Sequence, residues 1–180
     1  MSTRPVRVVL IGPESTGKTR LAERLAAHYV APWSPEYARE YVERDPRALT
    51  YADVAPIARG QQAGEDAARK QAEAQGARLV LHDTDLVSTL VYSRHYYADC
   101  PAWVEVAART RLADLYLLHH TDVAWQADGP QRAQPERRAE LFWSFRSTLA
   151  ALAATIVDVH GSWDEREARA RTAVDALLEG

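Results

Sequence analysis

The 180-residue sequence predicts an α/β fold with a parallel sheet, and three observations predict it. Short apolar runs rich in β-branched residues alternate with stretches of helical spacing, as strand–helix–strand crossovers require. The first run, Val6 to Ile11 (VRVVLI), is nearly continuous in apolar residues, as a strand buried on both faces must be. A glycine-bounded segment, Gly12 to Thr19, follows it at once and leads into a helix.

The remaining elements follow in order. Leu21, Leu25 and Tyr29 stand at helical spacing within 18–29. A second strand is expected at Tyr29 to Pro35, broken by Pro32 and Pro35, and then a turn into a short helix at Glu36 to Val42. Tyr51 to Gln75 reads as a long helix stopped at Gly76, weakened by Gly60 and Gly64. Arg78 to His82 is the third strand and Asp85 to Tyr97 a helix. Pro101 to Arg111 is another, with proline in its favoured first turn. Asp114 to His119 is the fourth strand, 121–138 a loop, and Glu140 to Ala153 a helix. Thr155 to His160 is the fifth strand and Asp164 to Leu178 the last helix. No repeat, low-complexity segment or long linker divides the chain, so one domain over 1–180 is expected.

Composition narrows the function. Hydrophobic residues make up 47% and charged residues 26%, ordinary for a globular protein. The net charge of −3 carries no basic excess, so nucleic acid is not expected as a partner. No apolar run approaches the ~20 residues of a membrane span, and none at the N-terminus resembles a signal segment. The lone Cys100 cannot form a disulfide within the chain and reads as a small buried residue. These observations together set the expectation of a cytoplasmic protein.

The segment GPESTGKT (Gly12, Pro13, Glu14, Ser15, Thr16, Gly17, Lys18, Thr19, then Arg20) matches G-x-x-x-x-G-K-S/T in full, between a buried strand and a helix. Glycine lets the backbone approach an anion closely. Successive N–H groups and the helix N-terminus then face a phosphate. Lysine is suited to the β- and γ-phosphates and the threonine hydroxyl to Mg²⁺. Lys18 stands out further because Lys70 is the only other lysine. The pattern predicts a site for ATP or a related nucleoside triphosphate with magnesium.

Ligands of open parallel sheets sit beyond the C-terminal strand ends. Asp83 and Asp85 (HDTD) end the third strand, and Glu36 follows the second in SPEYAREY. Asp83 suits the magnesium shell, since a hard dication wants carboxylate oxygen, or else a helix cap. Asp85 directly precedes Leu86 and suits either a helix cap or a substrate hydrogen bond. Glu36 suits either a base or orienting group for a hydroxyl, or a carboxylate favoured by the helix dipole.

The loop WQADGPQRAQPERR, 125–138, gathers Arg132, Arg137 and Arg138. Mobile positive charge of this kind covers a γ-phosphate and excludes water, so a lid at about 125–140 is expected, a solvated basic turn being the other reading. Trp125, near a strand end, suits either stacking on a planar ring or packing in the loop hinge. The pair His119 and His120 has no third metal ligand at suitable spacing and reads as structural.

Taken in order, GPESTGKT, EYAREY, DTD after a strand, W-x-x-DG and a final strand with WDER give the chain a family resemblance. It resembles the nicotinamide riboside kinase domain of NadR-type NAD-biosynthesis proteins over nearly its whole length. That resemblance implies phosphorylation of a ribose 5′-hydroxyl by ATP. It also implies a P-loop sandwich of three layers whose five parallel strands run in the order 2-3-1-4-5. It places Glu36 and Asp85 near the substrate ribose, Trp125 near the nicotinamide and Asp128 in the lid hinge, with Tyr37 also expected at the substrate. It puts the turn from Gly161 to Arg166, with Ser162 and Trp163, near adenine. Family members usually carry an arginine soon after the DG pair; here Pro130 and Gln131 intervene before Arg132. No adenylyltransferase or DNA-binding portion is expected within these residues. Two other functions share the motifs: a kinase for another nucleoside or nucleotide, and a P-loop regulatory ATPase that switches a protein partner.

Overall fold

The computed structural model describes residues 4–124 and 135–180. Trp125, Asp128, Arg132 and most of the expected lid lie outside them. The described elements are, in chain order, β1 (Val6–Ile11), α1 (Lys18–Tyr29), β2 (Trp33–Ser34), α2 (Tyr37–Arg44), α3 (Tyr51–Gln75), β3 (Leu79–Asp83) and α4 (Leu86–Tyr97). They continue with α5 (Ala102–Thr110), β4 (Leu115–His119), a 3₁₀ turn (Pro135–Arg137), α6 (Arg138–Ala151), β5 (Ile156–Val159) and α7 (Trp163–Glu179).

The five strands form one parallel sheet in the order β2-β3-β1-β4-β5. The central strand, β1, explains why its sequence is apolar on both faces. Val9 and Ile11 pack with α4, α5 and α6 on one side of the sheet. Val8 and Leu10, pointing the other way by the two-residue period of a strand, pack with α1 and α7. Leu10 and Ile11 are both fully buried. Truncating either to Ala removes a core side chain at a cost of about 2–5 kcal/mol.

Two boundaries differ from expectation for local reasons. The second strand is only Trp33–Ser34, because α1 keeps Tyr29, whose hydroxyl donates to Asp175 of α7 at 2.7 Å. Val30 then closes α1 in the left-handed region, with φ of 50°, and is exposed. At the other end, α6 starts at Arg138, ahead of Glu140. Its buried guanidinium reaches back to the carbonyl of Ser15, which draws the polar start of the helix inward.

The glycines of α3 do not break it. A Cβ on Gly60 would stand 2.0 Å from the ring of Tyr37, so the missing side chain is where α2 docks. The helix is also secured at its start by reciprocal bonds between Thr50 and Asp53. Among the described residues no helix is long and apolar enough to cross a membrane.

Candidate active site

Residues 12–19 wrap the end of β1 into α1, and the local conformation depends on two glycines. Gly12 has φ of +136° and Gly17 of +81°, where side chains are strained. Space forbids a side chain as well. A Cβ on Gly12 would lie 2.8 Å from the carbonyl oxygen of His119, and one on Gly17 would lie 2.4 Å from the ring of Trp163.

The loop is held from beneath by carbonyl bonds. Lys18 Nζ donates to Pro13 O at 2.7 Å, and Thr16 Oγ1 donates to the same oxygen at 2.8 Å. His119 Nδ1 lies 3.0 Å from Thr16 O; a carbonyl can only accept, so Nδ1 carries the proton. Burial pushes the His119 pKa down to about 3, keeping the ring neutral. Arg166 Nη1 also donates to Thr16 O, at 3.3 Å, while its Nε donates to Gly161 O and its Nη2 pairs with Asp122. Arg138 donates through Nη2 to Ser15 O and through Nη1 to Val123 O, both at 3.2 Å.

Four of the residues singled out in sequence come together at the strand ends. Thr19 Oγ1 donates to Asp83 Oδ2 at 2.5 Å. Asp83 Oδ1 is buried with no hydrogen-bond partner among the described residues. Burial first, and then the neighbouring charge of Glu36, raise the Asp83 pKa to about 6, against the pull of Lys18 and the Thr19 hydrogen bond. A hydroxyl and a carboxylate with an unsatisfied oxygen, side by side, form a hard oxygen set that fits Mg²⁺.

Glu36 lies at the start of α2, is 8% exposed, and lines a cavity of about 110 Å³. The rest of the wall comes from Leu49, Thr84 and the helices α2, α3 and α4, including Val54, Ile57 and Gln61 of α3 and Tyr92, Tyr96 and Tyr97 of α4. No arginine or lysine lines it among the described residues.

Other expected site residues sit elsewhere. Asp85 is buried and caps α4: Oδ1 accepts from Val87 N at 2.9 Å and Oδ2 from the Tyr116 hydroxyl at 2.7 Å. Of its two readings, the cap is the one the geometry displays, and it is not in the cavity wall. Tyr37 is turned onto Gly60, with its N–H donating to Gln61 Oε1, and does not line the cavity either. Arg137 does not join Arg138 at the phosphate loop. It pairs with Glu140 on the exposed surface, because an i,i+3 partner is the nearer one. Ser162 caps α7 by accepting from Glu165 N. Trp163 stands over the loop, with Arg20 Cζ 5.1 Å from its ring centroid.

Two parts of the candidate site are not marked by any contiguous motif. Arg166 carried no signal beyond the WDER string, since nothing in sequence marks an arginine as buried. The cavity wall did carry one. Ser88, Thr89, Tyr92, Ser93, Tyr96 and Tyr97 recur every four residues, so α4 presents a hydroxyl-rich stripe where an ordinary core face would be apolar.

Comparison with known proteins gives the family and the fold. A family model described as an AAA domain matches residues 7–166. Curated relatives include the trifunctional NAD biosynthesis/regulator protein NadR of Salmonella typhimurium and that of Escherichia coli. Each is 32% identical over 126 residues, 68% of this chain and 30% of the relative. The chain therefore spans under a third of the curated relatives it matches. Among solved structures, NadR in complex with NR has a TM-score of 0.73 at 27% identity, covering 98% of this chain and 49% of that one. NadR in complex with NAD and AMP-PNP has a TM-score of 0.73 at 26% identity, with 98% and 50% covered. Thymidylate kinase from Ehrlichia chaffeensis shares the fold, with a TM-score of 0.61 at 13% identity over 99% of this chain and 100% of that one.

Proposed function

The chain belongs to the AAA-domain family of P-loop proteins, and we propose that it is an ATP-dependent nucleoside kinase that phosphorylates the ribose 5′-hydroxyl of nicotinamide riboside. The observation that carries the reading is the cavity beside Lys18, Thr19 and Asp83. It is bounded by Glu36 and aromatic rings, and no cation lines it among the described residues. An acceptor that already bore a phosphate would need positive charge there. A nucleoside does not, and a planar cationic ring gains from aromatic faces and a nearby carboxylate. The NadR structure in complex with NR supports the choice of nucleoside.

The residues divide the work. The loop N–H groups hold the phosphates, and Lys18 would leave its carbonyl partner to neutralise charge developing on the β- and γ-oxygens. Thr19 and Asp83 would hold Mg²⁺, which would supply charge neutralisation at the transferred phosphate. Glu36 orients the acceptor hydroxyl and takes its proton as the oxygen–phosphorus bond forms and the bond to the departing ADP breaks. Arg138 fixes the loop from its outer side. Arg132, Trp125 and Asp128 remain the proposed lid and ring contacts.

A nucleoside panel with Mg-ATP tests the reading, with product identified by mass. Conversion of nicotinamide riboside to its 5′-monophosphate is expected. Turnover of a different nucleoside alone would change the substrate, and ATP hydrolysis stimulated by a protein but by no nucleoside would replace the kinase with a regulatory ATPase. Asp83→Asn should flatten the magnesium dependence while leaving the melting temperature near wild type.

A further inference from the structure

Tyr92 belongs to both halves of the site. Its ring is part of the cavity wall. It packs edge-on against Phe145 of α6, with centroids 5.5 Å apart, and lies parallel to Tyr96 at 6.1 Å. These contacts give the hydroxyl a set position. From there it donates to Glu14 Oε2 at 3.0 Å.

Glu14 is the third residue of the phosphate loop and is 1% exposed. Its Oε1 is buried and has no hydrogen-bond partner among the described residues. A carboxylate is costly to bury, and more so in a loop shaped to receive phosphate. The hydroxyl of Tyr92 offsets part of that cost and fixes which way the carboxylate points. One residue on, the carbonyl of Ser15 is held by Arg138. Two helices thus grip the same arm of the loop, and one of them, α4, also walls the cavity.

We propose that Tyr92 is a positioning residue that ties the acceptor cavity to the phosphate loop through Glu14. The name acceptor cavity rests on the kinase reading, but the link itself is an observed contact. Its signature is that a change made in the cavity wall is felt on the nucleotide side.

Tyr92→Phe removes the hydroxyl and keeps the ring. Affinity for AMP-PNP, measured by calorimetry without acceptor, should fall about tenfold, the lower end for a lost hydrogen bond to a charged group. In turnover, kcat should fall by a similar factor, while the nucleoside KM stays within about twofold because the ring still forms the wall. Glu14→Gln keeps an oxygen to accept from Tyr92 and removes the charge, and its own AMP-PNP affinity is the reference for the second arm of a double-mutant cycle. Adding Tyr92→Phe to Glu14→Gln should then cost less than about threefold, because the orphaned group is no longer charged. An unchanged AMP-PNP affinity with a raised nucleoside KM would reduce Tyr92 to a piece of wall and overturn the link. Equal losses with and without Glu14→Gln would overturn it too. The binding measurement needs no acceptor, so it decides the link even if no nucleoside is turned over, an outcome that would sink the kinase reading alone.

Discussion

The phosphate loop draws its partners from consecutive residues, 12–19, and is gripped mainly through main-chain carbonyls of Pro13, Ser15 and Thr16. The cavity beside it collects side chains from positions as far apart as Glu36 and Tyr97. The first kind of site depends on backbone shape, so it tolerates little change at its glycines. The second depends on side-chain chemistry, so it can change its ligand by substitution while the loop stays as it is. Apart from Tyr92, which belongs to both halves, nucleotide binding and acceptor choice should therefore respond to separate sets of mutations, which can be tested from the largest effect down.

Lys18→Ala should break the donor half most severely. The loss of its charge at the β- and γ-oxygens should lower kcat by about 10³-fold or more. Acceptor binding, followed by titrating the nucleoside into protein without nucleotide, should be unaffected. Activity within about threefold of wild type, a barrier change of only ~0.6 kcal/mol, would remove Lys18 from the mechanism.

Glu36→Gln should be the matching lesion in the acceptor half. A fall in kcat of about 10²-fold is the usual range for general-base work. AMP-PNP affinity should hold, since Glu36 lies outside the loop. Normal turnover with an unchanged KM would leave Glu36 as a helix-start carboxylate. Glu36→Asp separates charge from placement, because it keeps the carboxylate and withdraws it by one methylene.

The same contrast explains what could be read from the sequence. The loop was legible because its chemistry is contiguous: glycine for positive φ, lysine for phosphate, threonine for the metal, each at a fixed offset. The sheet was legible because β1 needs apolar residues on both faces. Asp85 was ambiguous because a cap and a ligand want the same residue type, and only Tyr116, 31 positions away, shows its second oxygen to be engaged. Where Tyr37 packs was not legible because its partner is an absence, the missing side chain of Gly60. Arg137 and Arg138 are adjacent and alike in sequence. Helix phase alone sends one to Glu140 and the other to Ser15.

Two glycines sharpen the contrast at a smaller scale. Each lies under an aromatic ring, Gly17 under Trp163 and Gly60 under Tyr37. Gly17→Ala adds a clash in a left-handed conformation and should weaken AMP-PNP about tenfold, the sum of about 1–2 kcal/mol from strain and displacement. Gly60→Ala lies in a helix and carries no such strain, so its effect should pass through Tyr37 to the start of α2. It should raise the nucleoside KM severalfold and leave AMP-PNP affinity unchanged. A shared effect of both substitutions on AMP-PNP would mean that the halves are coupled at a second place besides Tyr92, and would place Tyr37 among the residues that shape the loop.

The smallest effect concerns the floor of the donor half and is read in stability rather than in rate. His119 is fully buried, donates through Nδ1 to Thr16 O, and has its pKa lowered to about 3 chiefly by burial. In the unfolded chain it titrates near the ordinary value of about 6.5. Above that pH both states are neutral and the histidine adds no pH dependence. Between about 6.5 and 3 the unfolded state binds a proton that the folded state refuses, so stability falls as the pH falls, with a slope of up to about 1.4 kcal/mol per pH unit from this residue. His119→Asn keeps a side-chain N–H near the position of Nδ1 and cannot ionise. Urea unfolding from pH 7 to pH 4 should therefore be less steeply acid-sensitive in the variant than in the wild type. Other groups contribute equally to both curves, so the difference between the slopes isolates His119. Parallel curves would mean that the ring is charged, or reached by water, in the folded state. A charged ring can still donate to Thr16 O through Nδ1, but it would add positive charge beneath the loop, and the donor half would then rest on side-chain charge as well as on main-chain carbonyls.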